Sequence, residues 1–530
     1  MGDRSTYSRS TRSVVRGKNG MISTSQPLAS AAGLKVLMDG GNAIDAAVAA
    51  SAVLGVVEPF SAGIGGDTFA IYWDNEKKEL VGLNGSGRSA GKMDAEALKA
   101  SENIDKLPQY GVHTITVPGA VDAWDVLLSR YGTMDLKELL QPAIDYANEG
   151  FPVSEITALQ WKMYAKALQT EEARRVFLID GNPPKAGDVI ENPDLARSLQ
   201  LIAEKGSETL YKGELAESMV ACIKKLGGAL DLNDFEQHNS DWVEPISTNY
   251  KGYEVFELPP NGQGAMVLEM LNILEGYDLA GLGHNSADYM HLIVEAKKAA
   301  FSDRARYIAD PDFADLPIER IISKEYAKKR RNNIDMMRSS EQTSWDWESS
   351  NTVYLSVADR FGNAVSFITS IYDHFGSGIV PERTGIIMQN RGTLFSLEKG
   401  HFNYLEPGKR PLHTIIPAFV MKDGKPWFCF GVMGGDMQPQ GHVQVLLNMI
   451  EFGMDVQEAG EAPRVCHTDE GVALEQGIAW QERLGLLEKG HRIISKFDVF
   501  GGYQGILIDP LNGTYAGGAD DRKDGCAMGY

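Results

Sequence analysis

The sequence predicts an α+β fold in which antiparallel sheets are covered by helices. Helical patterns dominate the first part of the chain, whereas paired strand patterns separated by tight turns dominate after residue 351. The regular alternation of strand and helix that a doubly wound parallel sheet requires does not occur. These observations favour stacked antiparallel sheets over a parallel one.

The helices of the first part have recognisable ends. Gly40 and Gly41 end a helix predicted over 29–38, and Asn42 is placed to cap the next one, over 43–57. The second helix is rich in Ala and Val, but it is short for a membrane span and contains Asp45. Further elements are predicted as a strand at 68–73 and helices at 136–149 and 287–307.

The polar segment 330–350 has no periodicity and is predicted to be an exposed, flexible connector. Strand patterns begin directly after it. Strands are predicted at 352–359, 364–371, 415–421, 426–432, 472–475 and 505–509, with a helix at 440–452.

Composition excludes several classes of function. The 530 residues carry a net charge of −21, which disfavours nucleic acid as a partner. The four cysteines lack a CxxC spacing, the ten histidines lack a metal-binding spacing, and a P-loop, an HExxH motif and a complete GxGxxG motif are absent. We therefore expect neither a metal nor a cofactor. Because no apolar leader opens the chain, we expect a cytoplasmic protein without a membrane partner.

One short motif points to a serine hydrolase. Residues 87–91 read GRSAG, which matches the GxSxG nucleophile elbow and would make Ser89 the nucleophile. That elbow needs a helix directly after the serine, whereas the next helix is predicted only near Asp94. A tight Gly-rich turn is the simpler interpretation.

The junction between Asn351 and Thr352 offers a second nucleophile. A threonine hydroxyl needs a base to take its proton, and a free α-amine with a pKa of about 8 can serve. A cut immediately before Thr352 would create that amine on the first residue of a strand. Local pattern alone favours an ordinary strand threonine, since threonine is common in strands.

Blocks of sequence along nearly the whole chain decide between these interpretations. They are GGNAIDAAVAASAVLGVVEPFSAGIGGDTF (40–69), VPGAVDAW (117–124), LLQPAIDYANEGFPV (139–153), LPPNGQG (258–264), EAKKAAFSDRARYIADPDF (295–313), SVADRFGNAVSF (356–367), FGSGIV (375–380), GKRPLHTIIPAFV (408–420) and GVMGGD (431–436). In this order they resemble the gamma-glutamyltransferase family, also called glutathione hydrolases, of the N-terminal-nucleophile superfamily.

The resemblance implies an αββα sandwich built from both halves of a self-cleaved precursor. It implies a large fragment 1–351 and a small fragment 352–530 that share one core, with cleavage between Asn351 and Thr352. Thr352 falls on the family's catalytic threonine, and Ser370 on the hydroxyl residue that hydrogen-bonds it. Gly434 and Gly435 fall on the pair whose N–H groups form the oxyanion hole.

The substrate pocket departs from the family pattern. The family's Ser-Ser pair becomes His413-Thr414, its asparagine becomes Tyr372, and its amine-binding aspartate falls near Leu394. The family's arginine for the substrate carboxylate is out of register, which leaves Arg88 nearby as the expected clamp. The stretch between Leu394 and His413 is shorter than in typical transferases, so the lid loop is expected to be absent.

These departures predict hydrolysis rather than transfer, as in glutathione hydrolase-like proenzymes. The expected substrate is a small carboxylate-bearing amide of the glutathione or γ-glutamyl type. An oxamate amidohydrolase and a cephalosporin or glutaryl acylase remain alternatives on the same scaffold. A serine hydrolase using Ser89 and a non-enzymatic scaffold are the other classes, and a homo-oligomer stays open.

Overall fold

The computed structural model describes residues 10–341 and 352–530 of the chain. Asn351, the predicted residue before the cut, lies outside the described residues. Thr352 is the first described residue after the gap.

The strands of the described residues run in short segments along the whole chain. In chain order they are β1 Val15–Gly17, β2 Met21–Thr24, β3 Asp67–Asp74, β4 Glu79–Asn84, β5 Phe151–Pro152, β6 Val189–Ile190, β7 Asp241–Val243, β8 Ile246–Tyr250, β9 Tyr253–Glu257, β10 Val353–Ala358, β11 Ala364–Ser370, β12 Ala418–Lys422, β13 Lys425–Val432, β14 Val465–His467, β15 Val472–Leu474, β16 Ile493–Ile494, β17 Tyr503–Ile508, β18 Tyr515–Ala519 and β19 Cys526–Gly529.

The helices lie mainly between these strands. In chain order they are α1 Pro27–Met38, α2 Ala43–Val57, α3 Ala95–Glu102, α4 Ala120–Tyr131, α5 Leu136–Glu149, α6 Glu155–Tyr164, α7 Glu171–Phe177, α8 Pro193–Lys205, α9 Glu208–Tyr211, α10 Glu214–Lys225, α11 Leu232–Glu236, α12 Gly264–Leu274, α13 Leu279–Leu282, α14 Ala287–Tyr307, α15 Ile318–Ile321, α16 Lys324–Arg331, α17 Met437–Ile450, α18 Val456–Glu461 and α19 Trp480–Glu488.

Two seven-stranded sheets form the centre of the molecule. Their strand orders are β1-β18-β17-β13-β12-β9-β8 and β19-β2-β10-β11-β3-β4-β7, and their pairings are antiparallel. Each sheet therefore combines strands from before and after the predicted cut. Separating the two parts would break main-chain ladders in both sheets.

The apolar residues form layers that match an αββα sandwich. Side chains alternate across a strand, so Leu355 and Val357 of β10 pack with α1 and α2, whereas Tyr354 packs between the sheets. The sheet β1-β18-β17-β13-β12-β9-β8 packs its outer face on α12, α14 and α17. The α+β fold class and the αββα sandwich are thereby confirmed.

Most predicted elements occur close to their expected positions. The helices predicted at 43–57, 136–149 and 287–307 have those bounds, and Asn42 caps α2 through a capping box. The segment 330–350 differs from the prediction in its described part. Arg331 still belongs to α16, and Ser340 is held by Glu295 and Lys298 of α14.

Membrane crossing has no structural support in the part of the chain that is described. Across residues 10–341 and 352–530, no helix combines the length and apolar character that a bilayer span needs.

Candidate active site

The register of the central sheet brings Thr352 beside Ser370. Val353 pairs with Thr369 across β10 and β11, so Thr352 and Ser370 are the next positions on the two strands. Alternation turns both side chains toward the opposite sheet, which contains β12, β13 and β17, as it does Tyr354. The Thr352 hydroxyl donates to Ser370 Oγ at 3.3 Å, and both residues are fully buried. The pair expected from the sequence is thus assembled at the end of two adjacent strands.

Ser370 Oγ also accepts hydrogen bonds from two N–H groups, which hold its hydroxyl in place. The main-chain N–H of Tyr372 donates to Ser370 Oγ at 2.8 Å, and Arg391 Nη2 donates at 3.1 Å. Arg391 Nη1 donates to Thr414 Oγ1 at 2.7 Å. One buried guanidinium therefore links the hydroxyl partner of Thr352 to Thr414.

Removing the Ser370 hydroxyl should slow both self-cleavage and turnover. Ser370→Ala removes the acceptor of the Thr352 hydroxyl and leaves two buried N–H donors without it, so we expect a loss of about 10- to 100-fold in each rate. Ser370→Thr retains a hydroxyl and should preserve most activity. Time courses of chain cutting on denaturing gels, with amide hydrolysis assays, measure both rates. Equal rates for Ser370→Ala and wild type would rule out this role.

The predicted oxyanion pair lies on a turn between β13 and α17. Gly434 has φ +107° and Gly435 has φ +56°, a left-handed conformation that glycine adopts without strain. The carbonyls of both glycines accept hydrogen bonds from the first turn of α17, at Met437 and Gln438. The turn is thus held through its carbonyl groups.

Two side chains from the first part of the chain support this turn. Gln263 Nε2 donates to the carbonyl of Gly435 at 3.1 Å and to that of Thr414 at 2.7 Å. Arg304 of α14 donates to Gln263 Oε1 at 2.7 Å and binds Asp436 at two points. A continuous chain of hydrogen bonds therefore runs from Thr352 through Ser370, Arg391, Thr414 and Gln263 to Gly435.

The predicted substrate-binding role of His413 stays a prediction, which the position of its ring does not favour. Its ring is fully buried; Nε2 donates to Asp67 Oδ2 at 3.0 Å, and Nδ1 accepts the Ile415 N–H at 3.3 Å. Both ring nitrogens are therefore used inside the protein. The imidazole holds Asp67, which pairs with Ser370 across β3 and β11.

The buried imidazole of His413 should make stability depend on pH. Burial, with a contribution from the charge of Arg391, lowers its pKa from 6.5 to about 3. The unfolded chain binds this proton below about pH 6.5, whereas the folded chain does not until about pH 3. This contribution to folding is therefore present above pH 6.5 and is lost as the pH falls toward 3, by about 1.4 kcal/mol per pH unit.

Comparing His413→Gln with wild type isolates that contribution. We expect the free energy of unfolding of the variant to depend less steeply on pH between 6.5 and 4.5. Denaturant titrations at pH 7, 6 and 5 measure the slopes. Parallel slopes for the two proteins would contradict a neutral His413 in the folded state.

Tyr372 lies at the boundary between the catalytic group and a cavity of about 340 Å³. The cavity wall includes Tyr372, Leu394, Arg304 and Asp436. Part of the wall comes from the segment between Leu394 and His413, which packs on α3 through Leu397 and Leu405. Thr414 is buried behind this wall, where it accepts from Arg391.

Arg88 lies among protein carboxylates rather than beside Tyr372. Its guanidinium is 3.6 Å from Asp312, 3.7 Å from Asp241 and 3.8 Å from Asp310. Burial and the neighbouring Arg410 lower its pKa, and the three carboxylates oppose that shift. The expected role of Arg88 as a substrate clamp stays a prediction that this arrangement does not favour.

Ser89 has the contacts of a structural serine. Its Oγ donates to the carbonyl of Glu406 at 2.6 Å and accepts the Lys409 N–H at 3.1 Å. Within the described residues, these main-chain groups are its hydrogen-bond partners, and a histidine base is not among them. The extended segment after β4 continues to α3, so the nucleophile-elbow geometry is absent there.

The sequence did not predict three residues of the site, Arg391, Gln263 and Asp67. Gln263 lies within the LPPNGQG block and Asp67 within the first block, while Arg391 is three residues from Leu394. Their positions in those blocks were the available signal. Gln263 and Asp67 act through contacts that span 151 to 346 residues of sequence, and those of Arg391 span 21 and 23 residues. Local pattern reveals neither kind of contact.

Comparison with known proteins identifies relatives along nearly the whole chain. The family model described as gamma-glutamyltranspeptidase matches residues 29–530. The chain is 40% identical to the glutathione hydrolase-like YwrD proenzyme of Bacillus subtilis, over 97% of this chain and 99% of that protein. It is 36% identical to the acylase ACY 1 proenzyme of a Pseudomonas strain, over 96% of this chain and 93% of that protein.

A solved structure is similar over the whole length. The cephalosporin acylase from Bacillus halodurans is 43% identical, with a TM-score of 0.93, and the match covers 100% of this chain and 99% of that one. The fold, the Thr352–Ser370 pair and the match of the family model to residues 29–530 lead to one assignment: the chain belongs to the gamma-glutamyltranspeptidase family of enzymes.

Proposed function

We propose that the chain is an N-terminal-nucleophile amide hydrolase that cuts itself between Asn351 and Thr352. The observation that carries the proposal is the buried Thr352 hydroxyl against Ser370 Oγ, at the start of a central strand. The two related proteins are both called proenzymes, which supports a precursor that is processed. Fragments 1–351 and 352–530 would stay together because both sheets contain strands of each.

The cut itself needs only groups of this chain and water. Thr352 Oγ attacks the carbonyl carbon of Asn351, the C–N bond to Thr352 breaks, and the nitrogen takes the proton that Oγ loses. Water then hydrolyses the resulting ester, which leaves the Asn351 carboxylate and restores the Thr352 hydroxyl. The product nitrogen is the free α-amine of Thr352.

In turnover, that amine serves as the base for its own hydroxyl. An α-amine with a pKa of about 8 accepts the Oγ proton near neutral pH, and Oγ then attacks the substrate amide. The N–H groups of Gly434 and Gly435 are assigned to the oxyanion, and the turn held by Gln263 and Arg304 keeps them in position. The proton passes from the amine to the leaving nitrogen, and water releases the acyl group.

The proposed substrate is an amide whose small acyl group carries a carboxylate. Glutathione and other γ-glutamyl amides meet this description, and so do the oxamate and glutaryl-type amides of the alternative activities. The acylase alternative is favoured by Leu394, which lines the cavity without the charge an α-ammonium would need. We propose that hydrolysis predominates over transfer, because the short stretch between Leu394 and His413 is expected to lack a lid loop.

Intact-mass analysis of the purified protein, followed by a partition assay, tests this function. We expect two fragments separated at Asn351–Thr352 and an acyl adduct on the fragment that begins at Thr352. With an amide substrate and added glycylglycine, most acyl groups should go to water. An uncut but active chain would refute the mechanism, and predominant transfer to the dipeptide would refute the hydrolytic preference.

A further inference from the structure

Arg391 is a buried cation whose hydrogen bonds go to hydroxyl groups rather than to a carboxylate. Its side chain is fully buried, and its two terminal nitrogens donate to Ser370 Oγ and Thr414 Oγ1. Within residues 10–341 and 352–530, its Nε has no hydrogen-bond partner. Burying a charge in this way is costly unless a counter-charge is supplied.

Other buried arginines of the chain do have such a partner. Arg304 binds Asp436 at two points, and Arg464 donates to Asp520 at 2.8 Å. Arg391 differs because the carboxylate that acts on it through space, Asp67, is hydrogen-bonded elsewhere. The oxygens of Asp67 accept from four groups: the N–H of Gly87, the N–H of Gly119, Gln389 Nε2 and His413 Nε2.

The charge of Arg391 persists at neutral pH. Burial lowers its pKa to about 10, and the Asp67 carboxylate opposes that shift. The Tyr372 ring lies over the guanidinium, with 4.4 Å between the guanidinium carbon and the ring centroid. A permanent cation therefore lies next to Ser370, the hydroxyl partner of Thr352.

The Arg391 guanidinium is close enough to an acyl group on Thr352 to interact electrostatically with a charge on that group. A single residue, Ser370, contacts both Thr352 Oγ1, at 3.3 Å, and Arg391 Nη2, at 3.1 Å. A five-carbon diacid chain spans about 5 Å from its acyl carbon to its far carboxyl carbon. The cavity wall includes Tyr372, whose ring covers the guanidinium, and the apolar Leu394, whereas the Asp436 carboxylate of that wall is bound to Arg304.

We propose that Arg391 makes the enzyme select acyl groups that carry a carboxylate and no ammonium group, that is, amides of short dicarboxylic acids such as glutaryl amides. The proposal rests on the proposed function and narrows its substrate class. A carboxylate at the far end of the acyl chain supplies the missing counter-charge. An α-ammonium would instead be placed beside a buried cation, where low dielectric strengthens the repulsion.

Two substrates that differ only in the α-ammonium group test this selection. Glutaryl-p-nitroanilide and L-γ-glutamyl-p-nitroanilide share the leaving group and the acyl length. For wild type we expect kcat/KM to favour the glutaryl compound by at least about 10-fold. Arg391→Gln removes the charge but retains an N–H donor group, and it should reduce the ratio of the two kcat/KM values by about 10-fold. Arg391→Lys keeps the charge and should keep the preference for the glutaryl compound.

A matched control separates charge selection from general damage. Arg464→Gln also removes a buried guanidinium, but one whose hydrogen bonds go to Asp520, Phe500 and Gly460 rather than to Ser370 and Thr414. It should therefore leave the ratio unchanged even if stability falls. A wild-type preference for the γ-glutamyl compound, or an unchanged ratio in Arg391→Gln, would overturn the proposal. Intact-mass analysis reports self-cleavage independently of either ratio. A failure of the charge-selection proposal can therefore be told apart from a failure of the proposed function.

Discussion

Thr352→Ala is expected to remain a single chain of 57.9 kDa without amide hydrolase activity. The substitution removes the oxygen that attacks the Asn351 carbonyl and, in turnover, the substrate. Because both steps use the same atom, self-cleavage and turnover should fall together, by about 10⁴-fold or more. Intact-mass spectrometry and an amide hydrolysis assay measure the two losses on one preparation.

Two further variants show whether the losses depend on the Thr352 hydroxyl itself. Thr352→Ser keeps a hydroxyl at the same position and should still cut and turn over, more slowly. Ser89→Ala should behave as wild type, because the Ser89 hydroxyl contacts only main-chain groups among the described residues. A cleaved and active Thr352→Ala protein would refute Thr352 as the nucleophile, and loss of activity in Ser89→Ala would favour the serine-hydrolase alternative.

Gly434→Ala is expected to lower kcat by about 10²- to 10³-fold, the loss that follows removal of an oxyanion-hole donor. At φ +107° an alanine is strained, and its Cβ would lie 3.1 Å from Gly501 Cα. The turn must therefore shift, and the N–H groups of Gly434 and Gly435 shift with it. Steady-state kinetics measures the loss of transition-state stabilisation, and thermal unfolding measures any loss of folding stability.

Gly453→Ala provides the control for backbone strain alone. Gly453 also has a left-handed conformation, with φ +63°, and an added Cβ would meet no atom within 4 Å. It should lose a similar amount of stability while retaining the wild-type kcat. A Gly434→Ala enzyme with the kcat of the control would show that these N–H groups do not stabilise the oxyanion.

Local sequence predicted much of the scaffold because local interactions decide it. Asn42 caps α2 through its own side chain, and the small residues of α2 allow the helix to be buried along its length. The alternation of β10 and β11 gave their positions to within about a residue. The αββα layering followed from resemblance, and the pattern of buried side chains confirms it.

The pocket was predicted less well, because its residues act through partners distant in sequence. His413 replaces a substrate-binding serine in the family pattern, yet the fold turns its ring to Asp67. Arg88 was selected by its position near an expected arginine, yet it faces Asp241, Asp310 and Asp312. A motif gives the residue type at a position but not the direction of its side chain.

By itself, the sequence determined the fold class, the positions of several helices and strands and the candidate nucleophile Thr352. Periodicity, capping and the order of the family blocks are properties of the chain alone. Only the tertiary structure decided which charge lies beside that nucleophile. Arg391 became the cation of the site because β-sheet register places Ser370 next to Thr352, and because folding buries the guanidinium between Ser370 and Thr414 without a carboxylate of its own.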